Sequence, residues 1–346
     1  MKDSRNGNQR PDAGVAIIYV AVFLLSSLWL VSLAIDMGKL MATKTELQAA
    51  ADAAALAGAS SINPLTGTVV QDSARARATY TASRNRAFEE KQRAVIIDPL
   101  TDINFPTPTR VRVRVHREEA TGNAVVTTFA QTLGVDHLNV TADATAEAQQ
   151  LTDICEGLAP FAPIEPPNGT PYSTDCNTSY ALKVGSGQQQ QGNFQLLDYP
   201  SCNEGPCAGV GGGANAVRCY TINGYSCCVG IGSEFISTEP GNKVGPLKQA
   251  LTTRWDEDTD KTSHCYENYT GNGKRVFICP MIESFDVNGK KLVRIKGFAA
   301  FFLQQKPTGG GQGSVATGQF IKYVAPGQAG SEPPVSTGIY GVHLVE

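Results

Sequence analysis

"GVAIIYVAVFLLSSLWLVSLAIDMGKLMATKTELQAAADAAALAGA", Gly14–Ala59, joins a long apolar run to a segment written mostly in alanine. Ala13–Ile35 carries no charge over about 23 positions, and a helix of that length crosses the roughly 30 Å of bilayer hydrocarbon. Lys2, Arg5 and Arg10 precede the run as the basic region of a cleaved signal would. The apolar part of such a signal is about 7 to 15 residues long, and the small residues that imitate a cleavage site stand beyond Asp36, Lys39 and Lys44. The run therefore reads as a retained single-span anchor.

No Gly or Pro interrupts Val15–Met37, and Gly38 alone precedes Gly58. The spacing predicts one rod to about Ala57, about 65 Å long at 1.5 Å per residue. Leu33, Met37, Leu40, Lys44, Leu47, Ala51, Ala54 and Gly58 recur at alternating steps of four and three, a heptad-like stripe. Asp36, Lys39, Thr43 and Glu46 fall on the other side, expected to be solvated. Alanine loses no side-chain entropy in a helix and lets another backbone come close. Leu40, Leu47, Ala51, Ala54 and Gly58 are thus candidate interface positions. Their partner is either the chain's own globular part or a second subunit or assembly factor.

The apolar span, the Asp-x-Gly at Asp36 and Gly38, and "LQAAADAAALAGA" at Leu47–Ala59 together resemble the N-terminal segment of the TadG/TadE-like proteins of the Tad, or Flp-type, pilus system. The resemblance covers about residues 12 to 60. It implies a membrane-anchored component of pilus assembly or surface adherence in a bacterium with a periplasm. Its partners would be the membrane and pilus-assembly or pseudopilin-like proteins, with self-association through the helix. Related pseudopilins carry glutamate five residues after the cleavage-site glycine, where this chain has Tyr19 after Gly14, so an uncleaved anchor is expected.

All nine cysteines lie between Cys155 and Cys279: Cys155, Cys176, Cys202, Cys207, Cys219, Cys227, Cys228, Cys265 and Cys279. Their spacings lack the paired C-x-x-C of a zinc site, so disulfides in an oxidising compartment are expected, with one thiol left over, either buried or paired between chains. This places everything after Ile35 outside the cytoplasm and the N-terminus inside, which with the resemblance implies a bacterial inner membrane. A net charge of −3 offers no basic field for nucleic acid.

Between the rod and the cysteines, Val69–Arg93 reads as a second helix with Tyr80 and Phe88 as apolar anchors. "TRVRVRVHRE", Thr109–Glu118, alternates so strictly that Val111, Val113 and Val115 share one strand face and Arg110, Arg112 and Arg114 the solvated other. "AVVTTFAQTLGV" suggests a short helix and "LNVTADATAEAQ" a strand. From Leu151, β-prone pieces such as "RVFICPMI", "KLVRIKGFAAFFL" and "GQFIKYV" alternate with turns, "VNGK" at Val287–Lys290 marks a hairpin, and a helix is expected over Pro246–Trp255. The fold class is α+β: a cytoplasmic tail (1–12), a transmembrane helix (13–35), an Ala-rich extracytoplasmic helix (36–60), an α+β stem (61–150) and a β-rich, disulfide-containing domain (151–346).

Chemistry is sparse. Asp256, Asp258, Asp260 and Glu267 occupy positions one, three, five and twelve of a calcium loop, although Lys261 stands where its glycine belongs; a solvated acidic loop is the default reading. His264 and Cys265 are adjacent, so in a strand they point apart. "GVGGGAN", Gly209–Asn215, lacks the G-K-[S/T] of a phosphate loop, and no G-x-S-x-G elbow occurs. The D-x-S-x-S of an adhesive metal site, carried by some relatives, is also missing. The expectation is a structural or assembly component with no catalysis and no cofactor. The alternative is a membrane-tethered module whose β-rich domain binds a surface ligand or glycan.

Overall fold

The computed structural model describes residues 12–63, 66–85, 95, 97–166, 171–182, 193–233, 235–284, 289–307, 316–329 and 338–345. Its chain divides into two compact units, the first made of Met1–Ala55, Arg75–Asn104 and Arg112–Thr145, the second of Leu56–Ala74, Phe105–Val111 and Ala146–Glu346.

The first unit carries most of α1 (Asp12–Ala59), one uninterrupted helix of 48 residues. The large side chains from Val15 to Ile35 are exposed, whereas Leu47, Ala50, Ala51, Ala54 and Ala55 are fully buried. Next come α2 (Gln71–Arg84) and the strands β1 (Ile103–Asn104), β2 (Arg110–Arg117), β3 (Val125–Val126), β4 (His137–Leu138) and β5 (Val140–Gln150). β2 lies between β1 and β5. Val111, Val113 and Val115 are buried, and Arg112 and Arg114 pair with Asp143 and Glu118 at 3.4 and 2.5 Å, so the alternation settles both faces as expected. On α2 the anchors differ from expectation. Ala74, Ala78 and Ala82, one turn apart, are buried, while Tyr80 is 60% exposed and carries the Arg84 guanidinium 5.0 Å from its ring centre. Small side chains therefore make the contact that an aromatic was expected to make; Phe88 falls outside the described residues.

The segment 124–135 also departs from the expected short helix: β3 pairs antiparallel with β4, with Val125 opposite Leu138 and Val126 opposite His137, and a 3-10 turn at Ala130–Leu133 lies between them.

In the second unit, β5 ends beside β16 (Ile339–Val345), which runs parallel to β15 (Tyr323–Val324). Between them in the chain come β6 (Asp153–Ile154), β7 (Tyr180–Ala181), β8 (Asn193–Asp198), α3 (Ala214–Asn223), β9 (Val229–Gly230), β10 (Ile236–Pro240), α4 (Val244–Glu257), β11 (Val276–Ile282), β12 (Leu292–Val293), β13 (Ile295–Leu303) and β14 (Thr317–Ile321). β11, β13, β14 and β7 form one sheet; β12, β10 and β8 form another. β11 and β13 pair from Val276 opposite Phe302 to Ile282 opposite Ile295, the hairpin expected around "VNGK", of which residues 285–288 lie outside the described residues.

β13 is buried on both faces, and its period of two feeds two cores. Phe298, Ala300 and Phe302 join Tyr199, Tyr220 and Tyr225, whereas Ala299, Phe301 and Leu303 join Leu247, Leu251 and Trp255 of α4. α4 covers the expected helix, and Pro246 falls in its first turn, where no intrahelical N–H is required. α3 was not expected. Gly213, φ 83° and the last of the glycine run, is its N-cap.

Candidate functional site

Asp36 is the first residue past the apolar run, and it is buried rather than solvated. Its two carboxylate oxygens accept the backbone N–H groups of Thr128 at 2.8 Å, Phe129 at 2.9 Å and Ala130 at 2.8 Å. A carboxylate accepts only, and three peptide N–H groups entering a 3-10 turn have no partners of their own, so each side satisfies the other. Such bonds to an ionised acceptor are about twice as strong as neutral ones.

Lys39, one turn on, donates to the Thr128 hydroxyl, Lys44 donates to the carbonyl of Thr141, and Gln48 donates to the carbonyl of Asp143 at 3.0 Å. The polar side of α1 is thus a seam running along 128–143, and Thr43 is fully buried within it. The expectation of a solvated Asp36–Thr43 face is corrected: both positions lie in phase with buried Ala50 at seven-residue steps. Gly38, by contrast, has open space where a Cβ would sit, so its partner in the Asp-x-Gly motif carries the contact.

Of the expected interface positions, Leu47, Ala51 and Ala54 are fully buried by the chain itself, Gly58 is buried and Leu40 half-buried. The alanine stripe is used internally. A concavity of about 690 Å³ opens on the N-terminal side of Asp36, lined by Leu25, Trp29, Ser32 and Leu33 of α1 and by Phe129 and Ala130.

The second unit holds the cysteines and the acidic loop. Bridges join Cys155 to Cys228, Cys176 to Cys265, Cys202 to Cys227 and Cys207 to Cys219, leaving Cys279 as the buried free thiol. Burial pushes the Cys279 thiol far up, so it holds its proton. Cys265 being bridged, it forms no nucleophile with His264.

The calcium-loop carboxylates do not converge. Asp256 pairs with Lys306 at 2.6 Å, and Asp258 accepts from the Tyr269 hydroxyl and, at 2.8 Å, from the backbone N–H of Asp260. Asp260 accepts from the Ser263 hydroxyl at 2.6 Å and the Thr270 N–H at 3.0 Å, and these bonds hold its carboxyl well below the ordinary range despite burial. Glu267 sits in a separate 3-10 turn, and among the described residues no group of three or more His, Cys, Asp or Glu gathers for a metal.

Sequence reasoning missed Arg275, fully buried beside this loop. Its guanidinium donates to the carbonyls of Leu303, Asp260 and Ser263 at 2.8, 2.9 and 2.7 Å and lies 4.3 Å from the ring centres of both Trp255 and Phe302. The glycine run also has a local cause: a Cβ at Gly212 would stand 2.9 Å from a carboxylate oxygen of buried Asp198, itself paired with Lys290.

Residues 14–61 match the family model described as putative Flp pilus-assembly TadE/G-like. The N-terminal helix is TadE/G-like. The match begins inside the apolar run and ends two residues beyond α1, so the TadE/G-like segment comprises the exposed apolar half, Asp36 and the buried alanine half in one element. It supports a Tad pilus-associated role. No curated protein and no solved structure matches the chain.

Proposed function

We propose that this chain is a non-catalytic, membrane-anchored structural or assembly component of a Tad (Flp-type) pilus or a related secretion or adherence apparatus. The observation that carries the reading is the coincidence of the TadE/G-like match with one continuous helix, apolar and exposed from Val15 to Ile35 and buried from Leu47 onward. An uncharged exposed surface of that length suits lipid, and one apolar helix is long enough to cross a bilayer. Four bridges support an oxidising compartment for the cysteine-bearing unit, hence a periplasmic location with the N-terminus in the cytoplasm of the inner membrane.

Pilus-assembly or pseudopilin-like proteins are the partners proposed. Because Leu47, Ala51 and Ala54 are occupied internally, such partners, or a second copy, meet the helix at Met37 and Met41, which remain exposed. Purification in detergent tests the reading. Recovery with pilus machinery is expected, while recovery of a lone chain carrying a small ligand or glycan would favour a tethered binding module. An impermeant thiol reagent on intact cells checks the topology: labelling is expected only after outer-membrane permeabilisation and reduction, and labelling from the cytoplasm would reverse it.

A further inference from the structure

We propose that Val126–Val135 is a lipid-binding foot, resting in the outer interfacial layer of the bilayer with Phe129 directed into the acyl region beside α1. The inference rests on the reading that the apolar half of α1 spans a membrane. The height of the foot is set by chemistry already described: the three N–H bonds to Asp36 pin residues 128–130 to the first residue past the apolar run. Trp29 precedes Asp36 by seven residues, about 10 Å along a helix, and Leu25 by still more. A concavity bounded by those two side chains and by Phe129 therefore descends below the membrane boundary.

The segment is fit for that layer. Residues 124–135 contain no charged side chain, and Val126, Phe129 and Val135 are 51%, 39% and 42% exposed. Much of its backbone is satisfied within the segment, as a low-dielectric setting favours. Thr127 donates its N–H to the carbonyl of Asp136 at 3.1 Å and its hydroxyl to that of Val135 at 2.5 Å, and the Gln131 amide donates to the carbonyl of Thr127 at 2.7 Å.

The hydroxyls lining the concavity are all engaged: Ser26, Ser32 and Thr132 donate to the carbonyls of Phe23, Leu28 and Phe129 at 2.9, 2.6 and 2.6 Å. An acyl chain needs no donor there. A second transmembrane helix would need small residues to approach, and Leu25, Leu28, Trp29 and Leu33 are large. Lys39, about 4.5 Å past Asp36 along the helix, stands at the depth of phosphate headgroups, where basic side chains are favoured.

The test uses the full chain in vesicles of phosphatidylcholine and phosphatidylglycerol, with and without lipids brominated at shallow acyl positions, comparing Phe129→Trp and Leu100→Trp with the parent. Leu100 is 75% exposed in the same unit and serves as the water-facing control. Most of the emission added at 129 is expected to be lost to bromolipid and little to aqueous iodide, with the reverse at 100. Iodide quenching at 129 overturns the foot; so does protection from both quenchers, which would mean a protein cover. Val126→Trp repeats the measurement should the 129 variant fold poorly. The parent's Trp29 reports on the anchor separately: if bromolipid leaves it bright, the membrane reading fails and the foot with it, whereas a quenched Trp29 with an iodide-sensitive 129 refutes the foot alone.

Discussion

Arg275 and Asp36 are buried charges in the two different units, and each is satisfied by the opposite end of the peptide group. Arg275 gathers carbonyls from Leu303, Asp260 and Ser263; Asp36 gathers N–H groups from Thr128, Phe129 and Ala130. In both cases one side chain fixes a loop through its peptide groups. The surroundings differ: Arg275 sits among aromatic rings in a region closed by four disulfides, while Asp36 sits on a helix packed through alanines with no cysteine in its unit. The first unit therefore depends on hydrogen bonds, ion pairs and close packing, with no covalent closure. The second can lose a contact and keep its covalent loops.

That contrast breaks most sharply at the bridges. Replacing Cys176 and Cys265 together by alanine removes a closure of 89 residues and is expected to cost the second unit about 4 kcal/mol. The 12-residue closure of Cys207 and Cys219 should cost less, about 3 kcal/mol. Chemical denaturation read by Trp255, with the Asp36 loop followed separately by hydrogen exchange, checks both the size and the confinement of the effect. Arg275→Met keeps much of the volume but strands several buried carbonyls, each costing about 1–3 kcal/mol, so a loss of about 3 kcal/mol is expected in the same assay.

Asp36→Ala leaves three N–H groups without an acceptor, and a local loss of about 2 kcal/mol is expected. Exchange at Thr128, Phe129 and Ala130 should accelerate while β11 and β13 stay protected. Asp36→Asn should lose less, because the amide oxygen still accepts part of the set. Protection unchanged in either variant would show that the alanine packing alone fixes the loop.

The smallest effect is the pH dependence that Asp260 gives the second unit. Asp260 is held below its ordinary value by the Ser263 hydroxyl and by the Thr270, Ser263 and Thr262 N–H groups. Its contribution is complete above the unfolded carboxylate value near 4 and is lost as pH falls through the folded one. The parent should weaken progressively below about pH 4, and Asp260→Asn should flatten that acid limb; an unchanged limb would assign the titration elsewhere.

What the sequence discloses divides along the same line as the forces. The span, the alternation of Val111, Val113 and Val115, and the β11–β13 hairpin depend on near neighbours or on simple periods, so they can be read from the chain directly. Asp36 could not be placed that way, because its partners lie 92 to 94 residues away. Its seven-residue step to Thr43 and Ala50 was the one local signal. Tyr80 misled because size was taken for burial, when the contact needed Ala74, Ala78 and Ala82. α3 was hidden by the glycine run before it, which reads as loop until Gly212 is seen against Asp198. The acidic spacing of Asp256, Asp258, Asp260 and Glu267 fits a cation on paper, yet Asp258 and Asp260 are already taken up by nearby hydroxyls and N–H groups and Asp256 by Lys306.

Cys279 has one more use. Sealed in β11 beside β13 with its proton held on, the odd sulfur cannot meet a maleimide unless the strands around it part. The rate at which the oxidised protein takes up such a reagent is therefore a clock for its own opening, ticking without any engineered probe.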